Sequence, residues 1–205
     1  MKMKKRSRLI MTLFLFVFGC AFPVSECKAQ FIKQETGKTA PFTHLRSSYR
    51  NVSLSQAHSM ENVFIRKKDE WGFYGHSTIR HDYEKKSLNG DYVVIDHATG
   101  LMWHQSGSSD YVSWNSAKDW IRNLNNRGYA GYQDWRLPTL EEAVSLLEPN
   151  KTNNLYIDPV FDDKQWGIWS GDIYGSGGVW SVYFSLGNTR WRVKNRFVRP
   201  VRSFN

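Results

Sequence analysis

Asp134-Trp135-Arg136-Leu137-Pro138-Thr139 is the stretch from which the rest of the chain can be read. Trp135 and Leu137 alternate with polar neighbours, the pattern of a short extended segment with one face in a core. Pro138 and Thr139 are residues that start helices, and Glu142 stands three after Thr139, which makes a capping box. A helix is therefore predicted over 139–147, stopped by Pro149. Asp134 and Arg136 invite a catalytic reading, but they are equally suited to satisfying loop backbone groups or each other. Asp134, Trp135, Arg136, Leu137 and Pro138 are read as structural. Trp103, Trp169 and Trp180 are read the same way, as core aromatics.

On the N-terminal side, Ser113 to Asn125 reads as a second helix, with Trp114, Ala117, Trp120, Ile121 and Leu124 on one face. Asn89-Gly90 signals a turn into a strand over 91–96, and Thr99-Gly100 turns into another at 101–103. Ser53 to Asp69 is predicted as a helix, from apolar residues at three- and four-residue spacing and Ser53 or Ser55 as cap. On the C-terminal side, short strands are expected at 168–170, 179–186, 189–193 and 197–201. Gly187-Asn188 is the expected two-residue turn, and Pro200 marks an edge or irregular position. Two helices among short antiparallel strands, preceded by a third helix, define an α+β domain.

The first eight residues carry Lys2, Lys4, Lys5, Arg6 and Arg8, and Leu9 to Phe18 is apolar except for Thr12. Ten residues span about 15 Å as a helix, too short to cross a bilayer. A basic start, a short apolar run and small residues at Cys27 and Ala29 read as a signal peptide over 1–29. Val17-Phe18-Gly19-Cys20 offers a second reading, lipidation at Cys20. Both readings place the protein outside the cytoplasm, as a periplasmic, secreted or outer-membrane-associated chain, and only the second puts it on a membrane.

Removing residues 1–29 leaves 176 of the 205 residues, and takes six bases and one acid from a net charge of +9, leaving +4. That balance gives no general affinity for nucleic acid. Both cysteines lie in the leader, so the remaining chain has no disulfide, thiolate metal site or cysteine nucleophile. Residues 30–52, rich in Lys, Arg, Ser and Thr, read as a basic polar linker. Residues 53–205 read as one domain, holding all nine tryptophans between Trp71 and Trp191.

Several stretches together resemble a known family. They are Val94-Ile95-Asp96-His97-Ala98-Thr99-Gly100-Leu101-Met102-Trp103, then Gly131 to Thr139, Trp169-Ser170, Val179-Trp180, and Val198-Arg199-Pro200-Val201-Arg202. Their order and spacing, over about 91–203, are similar to the Lcl C-terminal domain family of bacterial, usually exported domains. The resemblance implies a fold related to C-type lectins and sulfatase-modifying factors. For the collagen-like adhesin that gives the family its name, it also implies binding of sulfated or other anionic glycans. Many members carry cysteines where this chain has Ile121 and Pro200, which implies a packing contact in place of a bridge.

Most candidate chemistry is thin. Glu148-Pro149-Asn150 coincides with a calcium and sugar motif of C-type lectins, but reads as well as a helix stop. Asp158, Asp162 and Asp163 surround a turn without the spacing of a calcium loop. His76, His81, His97 and His104 show no zinc spacing, and no serine triad or phosphate-cradling glycine loop is readable. No metal or cofactor is expected.

Arg190, Arg192, Lys194 and Arg196 stand apart. In a strand these alternate with Trp191, Val193 and Asn195, so all four would share one face at about 7 Å spacing. Such a row suits a polyanion, and it equally suits a solvated edge protected by charge. The expected function is an exported binding module, for an anionic glycan or another surface ligand. A structural or protein-interaction domain is the alternative. An enzyme related to sulfatase-modifying factors is less favoured, because oxidases of that group use cysteine chemistry.

Overall fold

The computed structural model describes residues 42–191 and 194–204. The expected signal peptide, the lipidation candidate Cys20 and most of the expected linker lie outside them. Among the described residues no helix is long and apolar enough to cross a membrane.

The chain is mixed helix and antiparallel sheet, an α+β architecture. In order it forms α1 (Leu54–Ala57), β1 (Val63–Asp69), β2 (Gly72–Ser77), β3 (Tyr83–Leu88), β4 (Asp91–Asp96) and β5 (Leu101–His104). Then come α2 (Trp114–Asn126), a 3-10 turn (Tyr129–Gly131), α3 (Leu140–Ser145), β6 (Gly167–Tyr174), β7 (Gly178–Tyr183), β8 (Asn188–Arg190) and β9 (Val201–Ser203). Five strands pair in the order β1-β2-β8-β7-β6 and four in the order β3-β4-β5-β9.

In the four-stranded sheet the central strands β4 and β5 are buried on both faces, while edge strand β3 is largely exposed, which is why Val93-Val94-Ile95 is a continuous apolar run. Val94 and Trp103 face the main core, with Phe73, Leu140, Ile168, Trp180 and Val182. Val93, Ile95 and Met102 face the other way, onto Leu124 of α2, Tyr129 and Trp135. A third cluster joins Ala117 of α2 to Leu137, Trp169 and Val198.

Helices α2 and α3 form where they were expected, capped by Ser113 and by the Thr139–Glu142 capping box. The helix expected over 53–69 is corrected. It lasts one turn, residues 58–62 reverse the chain with Asn62 at φ 58°, and Val63–Asp69 is a strand. Val63, Phe64 and Ile65 are β-branched or aromatic, and pairing with β2 across Glu70-Trp71 overrides the helical spacing.

The Gly187-Asn188 turn is also corrected. Asn188 is a strand residue paired with Tyr183 and Tyr74, and the loop is the four residues 184–187. Phe184 leaves the ladder because its N–H donates to the Trp166 carbonyl and its own carbonyl accepts from Tyr156. The last strand is shifted from 197–201 to 201–203. Before it, Phe197 bridges Ile168 of the larger sheet, so the segment crosses from one sheet to the other.

Residues 42–52, expected as the end of a linker, are a docked strap. Val52 is fully buried, its N–H donates to the Ile173 carbonyl, and Thr43 N–H donates to the Ala98 carbonyl. Arg46 donates to both oxygens of the Asp172 carboxylate, at 3.0 and 2.6 Å, and pairs with Glu141. Asp172, fully buried, also accepts the N–H groups of Arg50 and Leu140, each at 2.7 Å. The strap is thereby tied to the first turn of α3.

Candidate functional site

The side chains of the central motif are engaged in contacts within the domain. Trp135 is 2% exposed, its indole N–H donates to the Tyr129 carbonyl, and its backbone exchanges two hydrogen bonds with the Asn125 carboxamide. Leu137 and Pro138 are buried. Asp134 and Arg136 do not satisfy each other, as one sequence reading allowed. Arg202 donates to both oxygens of Asp134, at 2.7 and 3.2 Å, while Arg136 donates to both oxygens of buried Glu142, at 2.7 and 2.6 Å. Arg136 and Val201 also bridge through their backbones, so the central motif and the C-terminal Val-Arg pair are neighbours in space. Trp103, Trp169 and Trp180 are each at most 1% exposed.

His81 and His104 are held by partners within the domain. Both ring nitrogens of His81 meet acceptors, an Asp96 carboxylate oxygen and the Ser145 carbonyl, each at 2.7 Å. Both must donate, so the ring is held as an imidazolium. Its pKa is raised despite burial, which alone would lower it, by the hydrogen bond to and charge of Asp96. His104 is the opposite case. Its Nδ1 accepts the Gly107 N–H, it stacks on Tyr129 at 4.1 Å, and burial takes its pKa down to about 3. Arg199, fully buried, donates only to carbonyls, those of His104, Gln105 and Asp162, and burial lowers its pKa to about 9.

The basic row is not a single strand face. Strand β8 ends at Arg190, which is half-buried, bonds the Tyr74 hydroxyl at 3.1 Å and stands 4.0 Å from Asp69. Arg192 lies outside the described residues. Lys194 is exposed, whereas Arg196 is 6% exposed, with its guanidinium over the Tyr183 ring at 3.8 Å and the Trp166 ring at 5.0 Å. Burial lowers the Arg196 pKa to about 10. Its backbone bridges Val112, against which Arg196 is held.

The arrangement best suited to a ligand lies elsewhere, in a groove of about 470 Å³ between the strap, α2 and β6. Its walls are Tyr49, Trp114, Ile121, Leu137 and Ile173, and its cations are Arg50, Lys118 and Arg136. Arg50 and Arg136 already have carboxylate partners in Glu141 and Glu142. Lys118 has none among the described residues, and its ammonium rests 3.3 Å above the Trp114 ring. The Tyr49 hydroxyl donates to the Leu137 carbonyl at 2.9 Å, and burial pushes its pKa up to about 12. The lining holds no carboxylate, imidazole, thiol or aliphatic hydroxyl. Among the described residues, no three His, Cys, Asp or Glu side chains are arranged to hold a metal ion.

Sequence reading missed this groove because one wall is the strap. The apolar face of α2 was legible, with Trp114 and Ile121 on it. That Tyr49 would dock opposite was not, since residues 42–52 have the composition of a linker.

The family model described as the Lcl C-terminal domain matches residues 92–202. The chain belongs to that family. A search of curated proteins finds no match.

Proposed function

We propose that this chain is an exported binding module, without catalytic chemistry of its own, that holds an anionic surface ligand in the groove between α2 and the strap. The observation that carries this reading is the groove's composition: aromatic and aliphatic walls beneath three cations, with no group able to exchange a proton near neutral pH. An acidic or sulfated glycan fits that chemistry, with its C–H face on Leu137, Ile121 and Ile173 and its anionic group on Lys118. A relation to C-type lectins accords with two antiparallel sheets flanked by α2 and α3 and is part of the same proposal.

Binding of a heparin-derived oligosaccharide and a neutral one of equal length tests the reading. The sulfated ligand should bind and weaken about tenfold between low and moderate salt. Lys118→Ala should weaken it roughly fivefold, about 1 kcal/mol. Equal binding of the neutral ligand, or no effect of Lys118→Ala, would favour a structural or protein-interaction domain. That second reading is supported by the motif's polar side chains, all of which are taken up by internal ties.

Export rests on the leader's pattern. Mass measurement of the exported chain should find Gln30 as its first residue. A diacylglyceryl mass on Cys20 would instead make it a membrane-tethered module.

A further inference from the structure

A second cavity, of about 400 Å³, opens on another side of the domain, between the end of β2, the start of β3 and the chain following α3. Glu148 and Asp158 line it, and neither carboxylate makes an ion pair among the described residues. Asp158 accepts the Val160 N–H with one oxygen, at 2.7 Å. Tyr83 lines the cavity too, and its buried hydroxyl has no hydrogen-bond partner among the described residues. The Tyr83 ring is locked, stacked on His81 at 4.8 Å and edge-on to Phe161 at 5.3 Å, so the hydroxyl cannot swing out to find one.

The neighbouring cations offset this pair only in part. His81 is engaged at both nitrogens, by Asp96 and the Ser145 carbonyl, so it has no N–H left to donate to Glu148, although its charge reaches that carboxyl. Arg80 and His76 also line the cavity, and Arg80 is exposed. What remains is two carboxylates and a hydroxyl in a partly buried hollow, short of one positive charge with several N–H donors. The Glu148 carboxyl is raised by burial, against the charge of His81, which lowers it, and with a smaller upward push from Asp158.

We propose that this cavity binds the primary ammonium group of a small amine, such as an amino sugar, with Glu148, Asp158 and the Tyr83 hydroxyl as its acceptors. An ammonium presents three hydrogens on one cationic centre, and the hollow presents three acceptor groups. The site shares no lining residue with the groove on α2, so its failure and that of the groove reading are separable.

The test is calorimetric titration of the chain with glucosamine and with N-acetylglucosamine, which differ in whether the nitrogen is charged. Glucosamine should bind saturably, and N-acetylglucosamine should not. Glu148→Gln should weaken glucosamine about tenfold, the loss expected on removing a charge-assisted hydrogen bond. Tyr83→Phe keeps the ring packing, so it reads the hydroxyl alone should Glu148→Gln not fold, and it should weaken binding as well. Equal binding of the two sugars overturns the proposal, as does unchanged affinity in folded Glu148→Gln and Tyr83→Phe. A site that ignores glucosamine but takes calcium chloride would be a metal site, and would overturn it too.

Discussion

Arg202 grips Asp134 with two hydrogen bonds, Nε to Oδ1 at 2.7 Å and a terminal nitrogen to Oδ2 at 3.2 Å, across 68 residues of sequence. The guanidinium also lies over the Tyr132 ring at 3.8 Å and is only 10% exposed, while Asp134 is 60% exposed. The pair closes the central motif onto β9, which Arg136 and Val201 reinforce through their backbones. Asp134→Asn should lower stability by about 1 kcal/mol, a modest figure because the carboxylate is screened by solvent. Urea unfolding measures it. Arg202 holds the Asp134 carboxyl below its ordinary value of 3.8, so this contribution is present above that pH and lost as pH falls through the lowered value. A mutant as stable as the wild type at pH 7 would mean the pair is not a tie.

Two buried histidines set opposite pH limbs. The His81 pKa is raised above 6.5, so its contribution is complete below 6.5 and is lost as pH rises through the folded-state value. Its partner Asp96 is lowered below 3.8, so that contribution is present above 3.8 and fades as pH falls. His104, taken down to about 3, binds its proton more readily in the unfolded chain, so stability climbs with pH between about 3 and 6.5. The expected profile falls on the alkaline side in the wild type, and that fall should vanish in His81→Gln. In an NMR titration the His104 ring should hold its neutral shifts down to pH 4. A His104 midpoint near 6.5 would contradict its burial.

Arg196 and Lys194 should behave as different kinds of residue, although sequence alternation groups them. Arg196→Ser should destabilise the domain by about 1–2 kcal/mol, through lost stacking on Tyr183 and Trp166, and leave heparin retention unchanged. Lys194→Ser should leave stability unchanged, since its side chain is exposed. Retention that falls with Arg196→Ser in a fully folded protein would revive the basic row as a ligand face.

That contrast marks where the sequence stops being readable. Local signals were sound: the capping box at Thr139 and Glu142, the apolar face of α2 and the turn into β4 all depend on neighbours in the chain. So did the burial of Trp135 and Leu137, which alternation alone predicts. What was illegible depends on partners far along the chain. β1 carries a helical spacing that only its pairing with β2 overrides. The strap looks like a linker because Arg46 and Arg50 find Glu141 and Asp172 more than 90 residues away. Alternation puts Arg196 outside, and only the crossing of 196–203 between the two sheets turns it in.

Gly171 and Tyr49 provide the sharpest test of whether the strap makes the groove. Gly171 lies in β6 beneath the strap, and a methyl group added there would overlap the Tyr49 ring. Its backbone needs no glycine, since its φ is not positive, and the three nearest atoms to the added methyl group all belong to the Tyr49 ring. Gly171→Ala should therefore push the Tyr49 ring aside and open the wall that carries Arg50 and Asn51. Gly171 is buried in β6, but the nearest atoms a methyl group would meet are those of the Tyr49 ring, which is half exposed and free to move, so urea unfolding should shift by no more than about 1–2 kcal/mol. Limited proteolysis should then cut within 42–52 faster than in the wild type, because the strap's backbone hydrogen bonds to Ala98 and Ile173 would open more often. Affinity for the sulfated ligand should fall with it. Protection of the strap with unchanged affinity would mean that Tyr49 relaxes in place. Cleavage of the strap with unchanged affinity would move the ligand site away from this groove.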